Sequence, residues 1–248
     1  MSERQRADLI LVSMGHAPSR EKAREMIKKG EVSADGQPVS KPAQLIAPHA
    51  HISVQSDLLR YVSRGGLKLA AAFNAFPDLS AAARICLDLG ASTGGFCDVL
   101  LEQGAATIYA VDVGHSQLAA KIANDPRVIN LEQLNVRDIT ADIIPHPIQL
   151  ITADLSFISL KKALPAALAL AEQGADFIGL IKPQFEAGRA HLAKGGIVKD
   201  PSIRQAVIAD ISDWLTGLGW SVHATTPSPI EGPDGNIETL IWARKTEI

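Results

Sequence analysis

The sequence has few of the residues that mark several classes of protein. Only two of its 248 residues are cysteines, Cys86 and Cys97, and their spacing fits neither a disulfide framework nor a zinc site. No stretch approaches the roughly 18 apolar residues of a membrane span, and the first thirty residues carry charge throughout. We therefore expect two buried free thiols in a cytoplasmic protein that needs no metal and contacts no membrane.

Aromatic side chains are also scarce. They make up 4% of the chain, whereas hydrophobic residues of all kinds make up 46%. Core burial must therefore come mainly from aliphatic contacts, as is usual where helices cover a parallel sheet. The composition favours an α/β fold, and the length permits a small domain beside a medium one.

The chain has no surplus of positive charge, since its formal net charge is −3, and this argues against a nucleic-acid binder. The distribution of charge changes that conclusion. Residues 1–60 carry nine Lys or Arg and seven acids, a balance of +2, so the remainder carries −5. Any nucleic-acid contact is expected to begin in the N-terminal part.

That N-terminal part predicts a small α+β domain. A short helix is expected around Asp8–Val12, and a second helix begins after the N-cap Ser19 and stops at Gly30. Asp35-Gly36 then predicts a two-residue hairpin in which both residues take positive φ. Another short strand is expected over residues 52–54. We place this domain at residues 4–60.

A cationic stripe runs along the second helix, where Arg20, Arg24 and Lys28 recur every fourth residue. Most such stripes are merely solvated helix faces, and this alternative stays open. The segment SREKAREMIKKGEVSADGQPVSKP nevertheless resembles the RNA-binding domain of the ribosomal protein S-four type, also called the alpha-L motif. The RNA-binding candidates are Arg4, Arg6, Arg20, Arg24, Lys28, Lys29, Lys41 and Arg64.

Strands and helices alternate in the rest of the chain, after a short linker at residues 61–64. This pattern predicts a doubly wound, Rossmann-like domain over residues 65–248. A helix is expected from Gly66 to Phe76. The expected strands are 85–89, 108–111, 128–131, 150–153, 177–181, 221–225 and 239–243, and the further expected helices are 95–102, 116–123, 160–171 and 203–215.

A glycine-containing turn, DLGASTGGF, follows the first of these strands at residues 88–96. Open α/β sheets bind nucleotides at this place, and an acid at the end of the second strand, Asp112, can accept hydrogen bonds from both ribose hydroxyls of an adenosine cofactor. Asp138, after the third strand, is a candidate for the adenine amino group. The cofactor-binding candidates are Asp88, Gly90, Ala91, Ser92, Thr93, Gly94, Gly95, Phe96, Asp112 and Asp138.

The glycine spacing separates two kinds of cofactor. Ser92 stands where the second glycine of a dinucleotide-binding G-x-G-x-x-G turn belongs, and its side chain would crowd a pyrophosphate. S-adenosylmethionine has no pyrophosphate, so this cofactor fits the turn better than NAD. An NAD-dependent dehydrogenase stays as a remote alternative.

Four charged residues are expected at the carboxyl edge of the sheet. They are Lys68 in SRGGLKL, Asp154 in ADLSF, Lys182 in IKPQFE and Glu238 in GNIE. Asp154 and Lys182 directly end apolar strands, where charge is more often functional than structural. Taken one at a time, each residue is equally compatible with a surface ion pair.

These motifs, together with DLGASTGGF and DLSFISL, resemble the TlyA family of ribosomal RNA ribose methyltransferases over nearly the whole chain. The family is related to FtsJ-type enzymes, and its members were historically labelled hemolysins. The resemblance implies a Lys-Asp-Lys-Glu catalytic tetrad at Lys68, Asp154, Lys182 and Glu238. It also implies S-adenosylmethionine as cofactor, ribosomal RNA or ribosomal subunits as partner, and methylation of a ribose 2′-hydroxyl, with cytidine as the nucleotide.

Lys182 is the candidate general base, because a ribose hydroxyl is a poor nucleophile until its proton is removed. Burial and the Lys68 cation favour the free amine that a base requires, whereas Asp154 and Glu238 oppose it. The sequence leaves this balance open. A non-catalytic RNA-binding or ribosome-assembly factor is the alternative from another class. A membrane-lysing protein fits poorly, since no apolar span or strongly amphipathic basic helix is apparent.

Overall fold

A computed structural model describes residues 4–47, 49–54, 60–232 and 234–246. The chain divides into two compact units, Met1–Tyr61 and Val62–Ile248. The predicted limit at residue 248 lies outside the described residues. Each unit has its own sheets and its own core, so each is described by itself.

The N-terminal unit packs two helices against short strands. Its elements are β1 (Gln5–Arg6), α1 (Ala7–Ser13), α2 (Arg20–Lys28), β2 (Val32–Ala34), β3 (Gln37–Pro38), β4 (Leu45–Ile46) and β5 (Ile52–Val54). β1 pairs with β4, and β2 lies between β3 and β5 in an antiparallel sheet. Ala23, Met26 and Ile27 of α2 are fully buried, so the apolar face of this helix packs inward.

The predicted helix cap and the predicted hairpin turn of this unit are both present. The hydroxyl of Ser19 accepts the backbone N–H of Lys22 at 3.2 Å and caps α2. Asp35 and Gly36 take φ values of 50° and 76°, which the tight β2–β3 hairpin requires. The predicted helices and hairpin of this unit are therefore confirmed.

The C-terminal unit is a seven-stranded sheet covered by helices. Its elements are α3 (Gly65–Ala75), β6 (Ile85–Leu89), α4 (Gly95–Glu102), β7 (Thr107–Asp112), α5 (Ala120–Ala123), β8 (Val128–Glu132), β9 (Ile148–Ala153), α6 (Leu160–Ala163), α7 (Pro165–Ala169), β10 (Ala171–Ile181), α8 (Pro183–Glu186), α9 (Pro201–Gly217), β11 (Trp220–Pro227) and β12 (Thr239–Lys245).

The strand order is β8-β7-β6-β9-β10-β12-β11. β6 to β10 are parallel, whereas β12 runs antiparallel to β10 and forms an antiparallel pair with β11. The order reverses between β6 and β9, and open α/β sheets bind ligands in the crevice at such a point. The predicted α/β fold is confirmed, and its carboxyl edge is where the site lies.

Two predicted helices are shorter than expected. Helix 116–123 begins only at Ala120, because the Glu132 carboxylate accepts the backbone N–H groups of Ser116 (2.6 Å), Gln117 (2.8 Å) and Leu118 (3.1 Å) and holds them in a turn. Helix 160–171 is divided into α6 and α7 at Pro165, which has no N–H to donate. It ends at Ala169, since Ala171 already belongs to β10.

Both cysteine thiols are buried and free, as expected. Burial raises the pKa of Cys86 to about 12 and also raises the pKa of Cys97. Within the ranges that the structure describes, no helix is both long and apolar enough to span a membrane.

Candidate active site

The glycine turn after β6 lies against the end of β9. A Cβ atom on Gly90 would stand 2.7 Å from the backbone oxygen of Asp154, and Gly90 has a φ of +82°. Only glycine fits such an approach without moving the backbone. The turn is therefore held directly beside the residue that ends β9.

The four predicted tetrad residues converge at this edge. The Nζ atom of Lys182 lies 2.5 Å from Oδ1 of Asp154, and Nζ of Lys68 lies 3.8 Å from Oδ2 of the same carboxylate. Nζ of Lys68 also donates to Oε2 of Glu238 at 2.5 Å. Two lysines and two carboxylates thus form one connected cluster.

The four residues are not equivalent in position. Lys68, Asp154 and Lys182 line a cavity of about 320 Å³, whereas Glu238 is not among its lining residues. Glu238 is 1% exposed, and its Oε1 atom has no hydrogen-bond partner among the described residues. A Cβ atom at Gly232 would stand 2.6 Å from that Oε1 atom, so a side chain there would displace the carboxylate. Glu238 therefore contacts Lys68 from outside the cavity.

One residue of this cluster was not predicted. The hydroxyl of Ser156 accepts a hydrogen bond from Nζ of Lys182 at 3.0 Å and lines the same cavity. The lysine amine thus stands between a carboxylate and a hydroxyl. The position of Ser156 two residues after Asp154 is the only signal in the sequence that would have suggested it.

A second cavity, of about 450 Å³, adjoins the first and shares Gly90, Ser92, Asp154 and Ser156 with it. Its other lining residues are Asp112, Val113, Gln117, Asn135, Val136, Leu155, Phe157 and Ile158. Apolar side chains with a few polar groups are typical of a site for a small organic molecule, and the volume is of the size that such sites have.

Asp112 stands at the wall of this second cavity, as predicted from its place at the end of β7. Its carboxylate accepts the backbone N–H of Ser92 at 2.8 Å and of Gly114 at 2.7 Å. A carboxylate has about four acceptor positions, so two remain for a ligand. Apolar walls beside a free acceptor fit the base and ribose of an adenosine.

Most of the other predicted cofactor residues line the smaller cavity, but Gly94 and Asp138 line neither cavity. Gly90, Ala91, Ser92, Thr93, Gly95 and Phe96 line the smaller cavity. Gly94 lines neither cavity and instead packs against Leu118 and Ile122. Asp138 is exposed and is not part of either lining, whereas Asn135 and Val136, just before it, are. Asn135, rather than Asp138, is thus the polar residue of this segment that lines the larger cavity.

Asp88 lies beneath the turn and lines neither cavity. It is fully buried, and it accepts hydrogen bonds from Thr152 Oγ1 at 2.8 Å and from Cys97 Sγ at 3.1 Å. Burial raises the pKa of Asp88 to about 6. The expected direct contact with the cofactor is not what this geometry provides, because Asp88 ties β6, β9 and α4 together under the cleft.

The comparisons with known proteins agree with this geometry. Residues 61–245 match the FtsJ-like methyltransferase family, and residues 5–52 match the S4 domain. The chain belongs to the FtsJ-like methyltransferase family. It is 44% identical over 245 residues to the 16S/23S rRNA (cytidine-2′-O)-methyltransferase TlyA of Mycobacterium tuberculosis, covering 98% of this chain and 91% of that protein.

Two further relatives carry an older label. Hemolysin A of Brachyspira hyodysenteriae is 41% identical over 236 residues, which cover 95% of this chain and 98% of that protein. A solved structure from Streptococcus thermophilus, provisionally named a hemolysin, is 39% identical with a TM-score of 0.77, covering 100% of this chain and 90% of that one. Both fit the predicted TlyA resemblance.

A glutamate links two loops of this FtsJ-like methyltransferase. Glu186, at the end of α8, accepts the hydroxyl of Ser159 at 2.6 Å and the backbone N–H of Leu160 at 2.8 Å. The rings of Phe185 and Phe157 also meet, with centroids 5.3 Å apart. These contacts connect residues 185–186, just after Lys182, to residues 157–160, just after Asp154 and Ser156.

The predicted RNA-binding residues fall into two groups. Arg6, Arg20 and Arg24 all bond to the carboxylate of Asp8, a contact that the sequence did not predict. The others of this unit are exposed, namely Arg4, Lys28, Lys29 and Lys41. Arg64 belongs to the C-terminal unit and lines its smaller cavity.

Proposed function

We propose that the chain transfers the methyl group of S-adenosylmethionine to a ribose 2′-hydroxyl of ribosomal RNA, at a cytidine. The family membership supports methyl transfer, and the name of the Mycobacterium tuberculosis relative supports the nucleotide and the position. The single observation that carries the proposal is the amine of Lys182, held between Asp154 and Ser156 at the wall of the cleft.

The two cavities suit the two parts of the cofactor. The larger cavity, with Asp112 and apolar walls, would hold adenosine, and the smaller, polar one would hold the amino-acid part beside the tetrad. When bound, S-adenosylmethionine supplies a methyl group on a positively charged sulfur.

Lys182 is the base of the proposed reaction. In its free-amine form, Nζ would accept the proton of the ribose hydroxyl, and the hydroxyl oxygen would then be a competent nucleophile toward the methyl group that S-adenosylmethionine would supply. Asp154 and Ser156 hold Nζ at a fixed position and stabilise the ammonium that results. Orientation of this kind supplies a large share of such rate enhancements.

Lys68 and Glu238 position these groups. Lys68 contacts the carboxylate oxygen of Asp154 that Lys182 does not, and so would help to hold that carboxylate in place. Glu238 holds Lys68 in turn. The N-terminal unit would contribute RNA contacts, which is the role that its match to the S4 domain suggests.

The substitution Lys182→Ala tests the proposal. We expect methyl transfer to ribosomal RNA to fall by about 10³-fold or more, because a positioned base contributes roughly that much. Cofactor binding, measured by calorimetry, should be nearly unchanged. Lys182→Arg serves as a matched control, since it keeps the charge but cannot act as a base, and it should be equally inactive.

Normal turnover by either variant would overturn the assignment of the base. The nucleotide is tested separately, by mass mapping of ribose methylation in ribosomal RNA from cells with and without the protein. A missing 2′-O-methylcytidine in the cells that lack it is expected, and an unchanged methylation map would contradict the proposed substrate.

A further inference from the structure

One carboxylate in the N-terminal unit is bonded to three arginines. Asp8, in the first turn of α1, accepts Nε and Nη2 of Arg6 at 2.9 and 3.0 Å, Nη2 of Arg20 at 3.1 Å and Nε of Arg24 at 3.2 Å. We call these four residues the arginine cluster. It carries three positive charges and one negative charge.

The carboxylate has no exposed surface, whereas the arginines remain exposed. The side chain of Asp8 is 0% exposed, and those of Arg6, Arg20 and Arg24 are 39%, 48% and 49% exposed. Each guanidinium carries five N–H donors, and only four bonds in total go to Asp8. The cluster therefore presents free donors and surplus positive charge to solvent.

We propose that Asp8 is a positioning residue that holds Arg6, Arg20 and Arg24 as a preorganised receptor for phosphates of an RNA backbone. The inference rests on the proposed function for the kind of nucleic acid. Planar guanidinium groups match phosphate oxygens in pairs, so their orientation matters as much as their charge.

The physical reason is the cost of gathering like charges. Without Asp8, three guanidinium groups on β1 and α2 would repel one another and move apart on flexible side chains. Ordering such a flexible side chain on binding costs conformational entropy. Asp8 fixes three of them in the free protein, so this cost does not have to be met when RNA binds.

The expected change in RNA affinity on removing Asp8 is opposite to the change that net charge alone predicts. Removing an acid from an RNA-binding surface ordinarily strengthens binding, because the protein becomes more positive. We expect Asp8→Asn to weaken binding instead. Glu21→Gln is the matched control, since it removes the same charge from an exposed position on α2 beside Arg20.

The experiment uses the full chain and a fluorescein-labelled RNA hairpin, with affinity measured by fluorescence anisotropy at several NaCl concentrations. Asp8→Asn should raise the Kd about tenfold, a loss of roughly one to two ordered side chains. The slope of log Kd against log salt should stay unchanged, because the number of cations is the same. Glu21→Gln should bind as tightly as the natural chain or more tightly.

A measurement on the natural chain covers the case in which Asp8→Asn fails to fold. The Nε–H protons of Arg6 and Arg24 donate to Asp8, so their NMR signals should exchange slowly with water, both free and with the RNA hairpin bound. Exchange as fast as that of a solvated arginine would overturn the proposal. So would a folded Asp8→Asn variant that binds the hairpin as tightly as Glu21→Gln.

The failures of the two proposals can be told apart. If the natural chain does not bind the hairpin or ribosomal RNA at all, the proposed RNA substrate is contradicted. If it binds and methylates RNA, and Asp8→Asn binds as tightly as Glu21→Gln, only the role of Asp8 is contradicted.

Discussion

The tetrad and the arginine cluster are built from the same kinds of groups in different proportions. The tetrad joins two lysines to two carboxylates, and three of its four members are at most 6% exposed. The arginine cluster joins three half-exposed arginines to one carboxylate. A balanced, buried set can hold an amine in place while a proton moves, whereas a set with surplus positive charge can hold an anion.

Asp88 is a third case, because it is a buried carboxylate whose hydrogen-bond donors are neutral. Its partners among the described residues are a hydroxyl and a thiol, and burial raises its pKa to about 6. The three arginines, through their hydrogen bonds, lower the pKa of Asp8 well below its usual range. For these two carboxylates, burial raises the pKa of Asp88, whereas hydrogen bonds from arginines lower that of Asp8.

The largest expected effect comes from removing one cation from each cluster. Lys68→Met leaves the buried carboxylate of Glu238 without its partner, and we expect the free energy of unfolding of the C-terminal unit to fall by about 3 kcal/mol. Arg24→Met leaves Asp8 with two arginines, so the cost to the N-terminal unit should stay below about 1 kcal/mol, as for exposed pairs.

The two units can be followed separately in the full chain. All three tryptophans, Trp214, Trp220 and Trp242, lie in the C-terminal unit, so their fluorescence during urea unfolding reports on it. Amide hydrogen exchange in α2 reports on the N-terminal unit. The double variant Lys68→Met with Glu238→Leu should regain most of the stability. If Lys68→Met and Arg24→Met lowered the free energy of unfolding of their units by the same amount, the buried tetrad and the exposed arginine cluster would not differ as we expect.

The sequence predicted the tetrad because strand ends can be read locally. Asp154 and Lys182 each follow an apolar run, and parallel strands bring their carboxyl ends to one edge. Lys68 and Glu238 were expected at the same edge, but their place is harder to read, because Lys68 lies on a helix and Glu238 precedes an antiparallel strand. The family resemblance supplied their role. No regular spacing of residues in the sequence links Lys68 or Glu238 to the two strand ends.

The parts that escaped prediction are contacts between distant side chains. The cationic stripe on α2 was read from spacing alone, which gives no sign that Asp8, twelve residues before Arg20, binds it. The helix expected at 116–123 was shortened by Glu132, which competes for its N–H groups from a neighbouring strand. A pattern along the chain cannot register an acceptor supplied by another element.

The next prediction concerns a carboxylate without any cation. Asp112 is held by two backbone N–H groups and has free acceptor positions. Asp112→Ala should weaken S-adenosylmethionine binding about tenfold in calorimetry, since it removes hydrogen bonds between a charged acceptor and ribose hydroxyls. Asp138→Ala is the control, because it removes an exposed carboxylate that lines neither cavity. Unchanged affinity in Asp112→Ala would place the ribose elsewhere.

The smallest effect is a difference in pH dependence between the two buried aspartates. The folded-state pKa of Asp88, about 6, lies above its unfolded value, so the folded state binds the proton more tightly. Its contribution to stability is therefore largest at low pH and is lost as pH rises through 6. Asp8 behaves in the opposite way. Its pKa is lowered, so its contribution is present above its unfolded pKa and is lost as pH falls.

Asp88→Asn makes this difference measurable. Between pH 5 and pH 7 the natural chain should lose about 1 kcal/mol of stability in the C-terminal unit through Asp88, and the variant should not lose it. Urea unfolding followed by tryptophan fluorescence at both pH values gives the two differences directly. The N-terminal unit serves as an internal reference, because Asp8 should cause no loss of stability over this range. An identical pH dependence in Asp88→Asn and the natural chain would mean that Asp88 is ionised throughout, and that the hydroxyl and thiol stabilise its charge as well as the arginines stabilise that of Asp8.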